Sequence, residues 1–397
     1  MFRVRSVHGA VVLSAAIGAL AVVAAVLVTR GSESRGTAAA TVGAKAGVAA
    51  GRCENLVLVS ARSGRVVRRF ARFTYNPFVA GHVIRVYAAV SDAHRGWFVI
   101  EGVPGSEGRL KRLRNDGSFD PRWQVRLPVA SHALARSGRR LYVGSPRGVE
   151  AFDAETGMKV WRSPAFVTRR KRSARNIAVV ALVATPSRVY VGGDFSRVGG
   201  EPRGLVAALD ARTGELLPWR MPILSSPDAA ASVYALALSG PRLYVGGTFS
   251  RVGGKPRPGI AAVKADDGTL TSWSPKFRAW DGATSIAPAG RSVLVGGTFN
   301  NGGAFDARTG EPRPWAATMA NATTVTVTGS TAYIGGGLRS SLPKPSNNVA
   351  AINLTTGSLT AWRPKLEHFV SVGKLEVSGG KVLVSGDFCN TVGDPPG

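Results

Sequence analysis

Short apolar runs rich in valine, leucine and tyrosine alternate with glycine-containing turns along most of the chain after residue 50. The clearest runs begin at Val189 (VYVGGDF), Leu243 (LYVGGTF) and Val293 (VLVGGTF). Because these runs are short, bounded by turns and rich in β-branched and aromatic residues, they predict buried β-strands. The pattern therefore predicts an all-β chain and argues against a helical bundle.

The apolar runs belong to a repeat, since VYVGGDFSRVGGEPR from Val189 can be laid over LYVGGTFSRVGGKPR from Leu243. Shorter or degenerate copies of the opening strand begin at Trp97, Leu141, Val293, Ala332 and Val382, which makes seven units. Each unit also has a turn that ends in glycine, at Gly64, Gly117, Gly157, Gly214, Gly268, Gly310 and Gly357. These glycines are on average about 49 residues apart, a period typical of four-stranded propeller blades.

One unit shows its four predicted strands most clearly. They begin at Ser232 (SVYALAL), Arg242 (RLYVGGTF), Gly259 (GIAAVKA) and Leu270 (LTSWSP). The dipeptide Asp267-Gly268 precedes the last of them and supplies the positive φ that a tight hairpin requires.

The two ends of the chain carry complementary halves of one unit. The stretch from Val382 supplies early strands, and residues 55–70 supply late strands. Sharing one blade between both ends would leave the ring without free sheet edges. We therefore predict an all-β fold, a seven-bladed β-propeller of four-stranded blades closed by the N- and C-terminal strands. The alternative, that residues 55–70 form a separate hairpin, remains open.

The N-terminal segment is of a different kind. An uncharged stretch from Gly9 to Val28 follows Arg3 and Arg5 and is long enough to cross a bilayer. We expect residues 1–30 to be a signal anchor, with a cleaved signal peptide as the alternative, because the best candidate for cleavage, residues 38–40, lies well beyond Val28. Residues 31–50 predict a flexible linker and residues 51–397 the propeller. Either alternative makes the body extracytoplasmic, anchored to the membrane or secreted.

The VGGxFxxVGGxPR core with its following turn and tryptophan resembles the bacterial delta-sixty type of propeller repeat found in exported proteins. AFDAETGMKVW, ending at Trp161, also resembles the tryptophan-docking motif of quinoprotein propellers. That resemblance implies that each tryptophan wedges between neighbouring blades and is structural, namely Trp123, Trp161, Trp219, Trp273, Trp315 and Trp362. We interpret the turn carboxylates Asp153, Asp210 and Asp306 as turn-capping groups.

The net positive charge of the chain indicates an anionic partner. The chain carries 51 basic and 24 acidic residues, a net charge of +27, and residues 1–40 account for only four arginines and one glutamate. The densest candidate anion-binding cluster lies between the second and third complete units, at Arg169, Arg170, Lys171, Arg172 and Arg175. A second basic stretch runs through Arg109, Lys111, Arg112 and Arg114. Such clusters attract anionic polymers through salt-screened forces, although a merely solvated basic surface remains open.

Several partners and activities can be ranked from the same residues. Nucleic acid is a poor first choice for an exported protein whose basic clusters lack interleaved aromatic residues. Motifs such as HExxH, GxSxG and a phosphate-binding loop are absent from the sequence, which predicts no cofactor and no metal site. We therefore expect a monomeric, non-catalytic module that binds or scaffolds envelope components, such as an anionic polymer or a surface protein. The alternative is an enzyme of quinoprotein or polysaccharide-processing type with a site in the central channel.

The two cysteines lie at opposite ends of the repeat region. When the terminal half-units are laid on the unit from Asp194, Cys389 takes the place of Ser196 and Cys53 that of Arg203. An exported protein is exposed to oxidising conditions. We therefore predict a disulfide between Cys53 and Cys389, with two unpaired thiols as the alternative.

Overall fold

β-Strands and turns make up nearly all of the part of the chain that the structure describes. The structure is a computed structural model that describes residues 51–70, 73–75, 85–93, 95–102, 107–128, 131–168, 178–222, 224–225, 231–276, 282–297, 303–315, 319, 321–338, 348–364, 366 and 369–389. It describes only the backbone of residues 51–55, 73–75, 85, 225, 369–371 and 387–389. The predicted anchor and linker lie outside this range. Within it, no helix combines the length and apolar character that a membrane crossing needs.

The strands follow one another in chain order. The first ten are β1 (Gly51–Ser60), β2 (Val66–Phe70), β3 (Phe73–Tyr75), β4 (Arg85–Ser91), β5 (Gly96–Gly102), β6 (Gly108–Arg114), β7 (Phe119–Leu127), β8 (Ala133–Ser137), β9 (Arg140–Ser145) and β10 (Gly148–Asp153). The next ten are β11 (Lys159–Arg162), β12 (Phe166–Thr168), β13 (Val179–Ala184), β14 (Arg188–Gly193), β15 (Phe195–Val198), β16 (Glu201–Pro202), β17 (Val206–Asp210), β18 (Leu224–Ser225), β19 (Ser232–Ser239) and β20 (Arg242–Thr248). The last are β21 (Arg251–Val252), β22 (Lys255–Pro256), β23 (Ile260–Lys264), β24 (Ala283–Ala289), β25 (Ser292–Gly297), β26 (Gly303–Asp306), β27 (Ala322–Thr328), β28 (Thr331–Gly336), β29 (Val349–Asn353), β30 (Phe369–Ser378) and β31 (Lys381–Cys389).

Most of these strands belong to antiparallel sheets that repeat one pattern. Among the described residues there are seven such sheets: sheet 1 (β4 to β7), sheet 2 (β8 to β11), sheet 3 (β13, β14, β17), sheet 4 (β19, β20, β23), sheet 5 (β24 to β26), sheet 6 (β27 to β29) and sheet 7 (β30, β31, β1, β2). Sheet 7 joins strands from both ends of the sequence, with Val57 opposite Val384 and Val59 opposite Val382. The pairing that the repeat phase predicts is therefore present.

The fourth strand is reduced in the middle sheets. In sheets 3 to 6 the segment after the turn pairs through an isolated bridge, such as Leu209 with Leu216 and Val263 with Leu270. The prediction of a full strand from Leu270 was therefore wrong. A proline follows this segment at Pro275 in sheet 4, and Pro218 follows it in sheet 3; since proline removes a backbone donor, it ends the ladder early.

The SRVGG stretch of the repeat forms small additional sheets. β15 and β16 make a hairpin that pairs with β12, and β21 and β22 make a hairpin that pairs with β18. In the first hairpin Arg197 Nη1 donates to the carbonyl of Gly200 at 2.7 Å, and Arg251 makes the same bond to Gly254 in the second. These recurring arginines therefore brace their own turns.

The hydrophobic core lies between the sheets. In β9, Leu141 and Val143 pack with sheet 1, whereas Tyr142 between them packs with sheet 3. Alternate side chains of a strand point to opposite faces, so both faces of sheet 2 are buried. This explains why the second strand of each unit is continuously apolar.

A close backbone approach explains the double glycine of the repeat. A Cβ at Gly193 would lie 1.8 Å from the carbonyl oxygen of Ala178, and one at Gly247 would lie 1.9 Å from that of Ser232. No side chain fits at either position, so the second glycine of VGG is a packing requirement.

The sheets follow one another in a circular order. The first strand of each sheet contacts the first strand of the next, from β4 through β8, β13, β19, β24 and β27 to β30, and β30 contacts β4. Each neighbouring pair of sheets encloses a cluster of buried apolar side chains. The fold is thus all-β, with multiple sheets arranged as in a β-propeller.

Candidate functional site

The predicted tryptophans lie at the boundaries between sheets. Trp123, Trp161, Trp219, Trp273 and Trp362 are buried, and Trp315 is partly buried. A Cβ at Gly214 in the turn of sheet 3 would meet the Trp161 ring at 2.4 Å, and one at Gly357 would meet the Trp315 ring at 2.0 Å. The turn glycines therefore serve two purposes, because they adopt a positive φ and leave room for the indole of the preceding sheet.

Hydrogen bonds from the indoles fix this docking. Trp161 Nε1 donates to the carbonyl of Ala211 at 3.1 Å, Trp273 Nε1 to that of Asp306 at 2.9 Å, and Trp362 Nε1 to that of Ser60 at 2.8 Å. Each acceptor lies in the following sheet, either at the last residue of a strand, as for Asp306 and Ser60, or at the first residue of the turn, as for Ala211. The tryptophans thus join neighbouring sheets.

The turn carboxylates cap their own turns. Asp210 Oδ1 accepts the N–H groups of Arg212 at 2.8 Å and Thr213 at 2.9 Å, and Asp153 and Asp306 make equivalent bonds. The N–H of Thr213, followed by that of Arg212, holds the pKa of Asp210 below its ordinary value. These groups are therefore used in Asx turns. In the described part of the chain, no three His, Cys, Asp or Glu residues are placed to hold a metal ion.

The structure describes only one of the two predicted basic clusters. The cluster at Arg169, Arg170, Lys171, Arg172 and Arg175 lies outside the described residues. In the second cluster, Lys111 pairs with Glu101, Arg112 pairs with Asp92 and Arg114 pairs with Asp120. This stretch is therefore not a continuous patch of free charge, because its strand lies beside acidic neighbours.

Arg109 of the second cluster and two further arginines are exposed on the outer strands of sheet 1. Arg109 lies directly opposite Arg126 in the ladder between β6 and β7, and Arg122 lies on the same face of β7 as Arg126. The Arg126 side chain is 76% exposed, and its Nε lies 3.8 Å from Glu107 Oε2. An exposed ion pair at this distance is weak. We call Arg109, Arg122 and Arg126 the basic stripe. Like charges placed opposite one another in a ladder repel, so the stripe favours an anion between them.

A buried ionic cluster joins sheets 1 and 2, and the sequence did not predict it. Asp92, which follows β4, is fully buried and contacts Arg112 at 2.8 Å, Arg95 at 3.2 Å and Arg136 of β8 at 3.3 Å. Arg95 also lies 2.6 Å from Glu155, and this hydrogen bond lowers the pKa of Glu155. Removing Asp92 would leave three guanidinium groups close together. No sequence signal distinguishes this aspartate from one in an ordinary hairpin.

Glu376 of β30 occupies the junction between sheets 7 and 1. The residue is partly buried, and its backbone carbonyl accepts a hydrogen bond from Trp97 Nε1 at 3.3 Å. Burial raises the pKa of Glu376 to about 7, although Lys374 and the backbone N–H of Ser91, which bonds to the carboxylate, act in the opposite direction. The junction therefore contains a carboxyl group that is poorly accommodated in its charged form.

We expect Glu376→Gln to stabilise the protein only when Glu376 would be ionised. The pKa of Glu376 is raised from 4.5 to about 7 by folding, so its destabilising effect is absent below the lower value, grows between the two and is complete above the higher. The variant should exceed the parent in free energy of unfolding by about 1–3 kcal/mol above pH ~7 and by nothing below pH ~4.5. Chemical denaturation across this range measures the difference. A difference that does not change with pH would show that the carboxyl group does not titrate in this way.

The predicted cysteine pair can be placed through the backbone. Cys53 of β1 lies directly opposite Cys389 of β31 in the antiparallel register. The equivalent positions of sheet 3 are also neighbours, since the N–H of Arg203 donates to the carbonyl of Ser196 at 2.8 Å. The structure thus brings the two cysteine positions together.

A family comparison bears on the repeat. The model of a family described as outer membrane protein assembly factor BamB matches residues 202–387, just under half of the chain. Residues 202–387 carry a quinoprotein-like repeat. This finding agrees with the resemblance of the tryptophan-docking motif and leaves the delta-sixty resemblance a prediction. No curated protein matches the chain.

Solved structures give weaker similarities. The extracellular domain of a putative one-component system from B. thetaiotaomicron is 15% identical, with a TM-score of 0.45, over 74% of this chain and 38% of that chain. A chain of a mitotic checkpoint complex is 14% identical, with a TM-score of 0.49, over 80% of this chain and 99% of that one. The chain spans little more than a third of the first of these structures. Neither similarity bears on function.

Proposed function

We propose that the body of the protein is a seven-bladed propeller whose last blade is completed by the N-terminal strands. The circular contacts of the first strands support this arrangement. Further support comes from Trp362, which donates to the carbonyl of Ser60 as Trp273 donates to that of Asp306, the equivalent position of its turn. The turn after β1 thus receives the preceding tryptophan in the same way as the turns of other sheets do.

We further propose that this propeller is an extracytoplasmic, non-catalytic module that binds anionic envelope polymers. The observation that carries the proposal is the basic stripe, where the exposed Arg109 and Arg126 lie opposite one another and the pairing of Arg126 with Glu107, at 3.8 Å, is weak. The charge of the whole chain, +27, supports attraction at longer range. The matched family is described as an outer membrane assembly factor, and this description, together with the apolar segment from Gly9 to Val28, supports an envelope location.

We expect the stripe variant Arg109→Ser/Arg122→Ser/Arg126→Ser to bind phosphate-bearing cell walls less tightly than the parent. Several guanidinium contacts acting together make affinity fall steeply with salt, so losing three of them should also flatten the salt dependence. Co-sedimentation with purified walls over a salt series measures both quantities. The variant Arg169→Ser/Arg170→Ser/Lys171→Ser/Arg172→Ser tests the cluster predicted from sequence in the same assay.

A charge-matched control separates the stripe from general basicity. Arg62, Arg212 and Arg308 occupy equivalent exposed positions in three turns, and the variant Arg62→Ser/Arg212→Ser/Arg308→Ser removes the same charge elsewhere. We expect this control to retain nearly the parent affinity. If it loses as much as the stripe variant, the protein has no specific anion-binding surface.

A further inference from the structure

The two hairpins of the SRVGG stretch lie at one end of their sheets. β14 ends at Gly193 and the hairpin of β15 and β16 follows at once, whereas the turn capped by Asp210 follows β17 at the other end. The hairpin of β21 and β22 follows β20 in the same way. Each turn glycine lies against the segment that follows the turn of the preceding sheet. The turns of neighbouring sheets therefore share one end, and the two hairpins lie at the opposite end.

Each hairpin exposes an arginine beside apolar side chains. Arg197 is exposed and lies opposite Val167 of β12 on one side and Pro202 of β16 on the other. Val167 is 49% exposed, and Pro202 is exposed as well. In the second hairpin the exposed Arg251 lies opposite the exposed Pro256. The hairpins thus combine cations with an apolar surface.

The cations of the hairpins have no acidic partner in the described part of the chain. There, Glu201 pairs with Arg220 at 3.4 Å, and neither Arg197, Arg251 nor Lys255 makes an ion pair. Arg197 and Arg251 each use one N–H for the carbonyl of their own turn. A guanidinium has five such donors, so the turn fixes each head group and leaves donors for a ligand. We call this the hairpin surface: Val167, Arg197, Pro202, Arg251, Lys255 and Pro256.

The chain enters the described body at the same end. In sheet 7, β31 lies between β30 and β1, as β14 lies between β13 and β17 in sheet 3. β31 ends at Cys389, and β1 begins at Gly51. The N-terminal segment is therefore joined to the hairpin end of the body. The linker predicted for residues 31–50 has, as a flexible chain, an average reach of about 25 Å, which is about half the width expected for a globular body of this length.

We propose that the hairpin surface lies on the bilayer that holds the N-terminal anchor and binds its anionic phospholipid headgroups. Guanidinium and ammonium groups are attracted to such headgroups and donate hydrogen bonds to their phosphates. Val167 and the two prolines add apolar contact at the bilayer interface. The cations alone would suit an anionic polymer equally, but the apolar neighbours and the short linker at this end favour a lipid surface. The proposal shares only the envelope location with the proposed function, because its residues and its ligand are different.

Two lysines of sheet 4 provide an internal comparison. Lys255 lies in β22 at the hairpin end and Lys264 ends β23 at the turn end, and both are exposed. Mass spectrometry would measure how fast an amine-reactive reagent acetylates each lysine in the full chain, reconstituted into vesicles of phosphatidylcholine alone or with about a third phosphatidylglycerol. We expect acetylation of Lys255 to slow about fivefold in the anionic vesicles and to recover in high salt. Lys264 should react equally in both.

Matched variants separate charge from the shape of the hairpins. Arg197→Ser/Arg251→Ser should abolish the protection of Lys255. Arg197→Lys/Arg251→Lys keeps the charge and should retain the protection. Arg212→Ser/Arg308→Ser removes the same charge from exposed positions at the turn end and should also retain it.

Four results would overturn the proposal. Lys255 reacts equally in both kinds of vesicle, or Lys264 is protected as strongly as Lys255. Either of the two variants expected to retain protection loses as much as the hairpin serine variant. Purified cell walls protect Lys255 and vesicles do not, which would assign the hairpin surface to an anionic polymer. Co-sedimentation of the stripe variant with walls uses no lipid, so either proposal can fail while the other holds.

Discussion

Mass spectrometry of the oxidised protein should find a single disulfide that joins Cys53 to Cys389. Residues directly opposite in an antiparallel ladder have Cα atoms roughly 4.5–5.5 Å apart, which lies within the range of about 4.4–6.8 Å that disulfides require. The two cysteines are opposite in this way. The two thiols would pass two electrons and two protons to a disulfide-bearing oxidant of an exported compartment.

This bond should have a large effect on stability. It would close a loop of more than 300 residues, and the chain-entropy model gives an upper value of about 6 kcal/mol for such a loop. We expect reduction, or Cys53→Ser, to lower Tm by about 5–10 °C. Calorimetry under oxidising and reducing conditions measures this change.

The single and double cysteine variants provide the control. If the cysteines are bonded, Cys53→Ser, Cys389→Ser and the double variant should be equally destabilised, because each removes the same bond. Two free thiols in the oxidised protein, or additive losses in the single variants, would contradict the pairing.

Deleting residues 51–70 should abolish folding. These residues form β1 and β2, and β1 lies between β2 and β31 in sheet 7. The deletion removes the fully buried Val57, Leu58 and Val59 and exposes the apolar face of sheet 6. It also removes the acceptor of Trp362 and thus leaves a buried indole without a partner.

Circular dichroism and size-exclusion chromatography would measure this loss. The control is removal of residues 1–48, which leaves the compact unit that begins at Ala49 and should retain the parent melting curve. A soluble, monomeric protein lacking residues 51–70 with an unchanged Tm would show that the terminal strands do not complete the fold.

The repeat made much of the fold predictable. VGG, the turn glycine and the tryptophan recur because each meets one steric requirement, such as the approach of Gly193 to Ala178 or of Gly214 to Trp161. The difference in phase between the two ends of the chain predicted the pairing of β1 with β31. Periodic residues thus reveal contacts that every unit shares.

Contacts that occur at one boundary only could not be predicted in this way. The pairing of Asp92 with Arg112 and Arg136 depends on three separate strands that the sequence does not align.

The burial of both faces of each sheet has a consequence for how the chain folds. A partial ring leaves an apolar face in water at each of its two ends until the last boundary forms. In the proposed ring, the last boundary depends on β1 meeting β31, whose residues are more than 300 positions apart. Distant pairing of this kind slows folding, and the late step leaves intermediates open to aggregation. Synthesis of β31, the last strand that the structure describes, is thus the step after which the proposed ring can close.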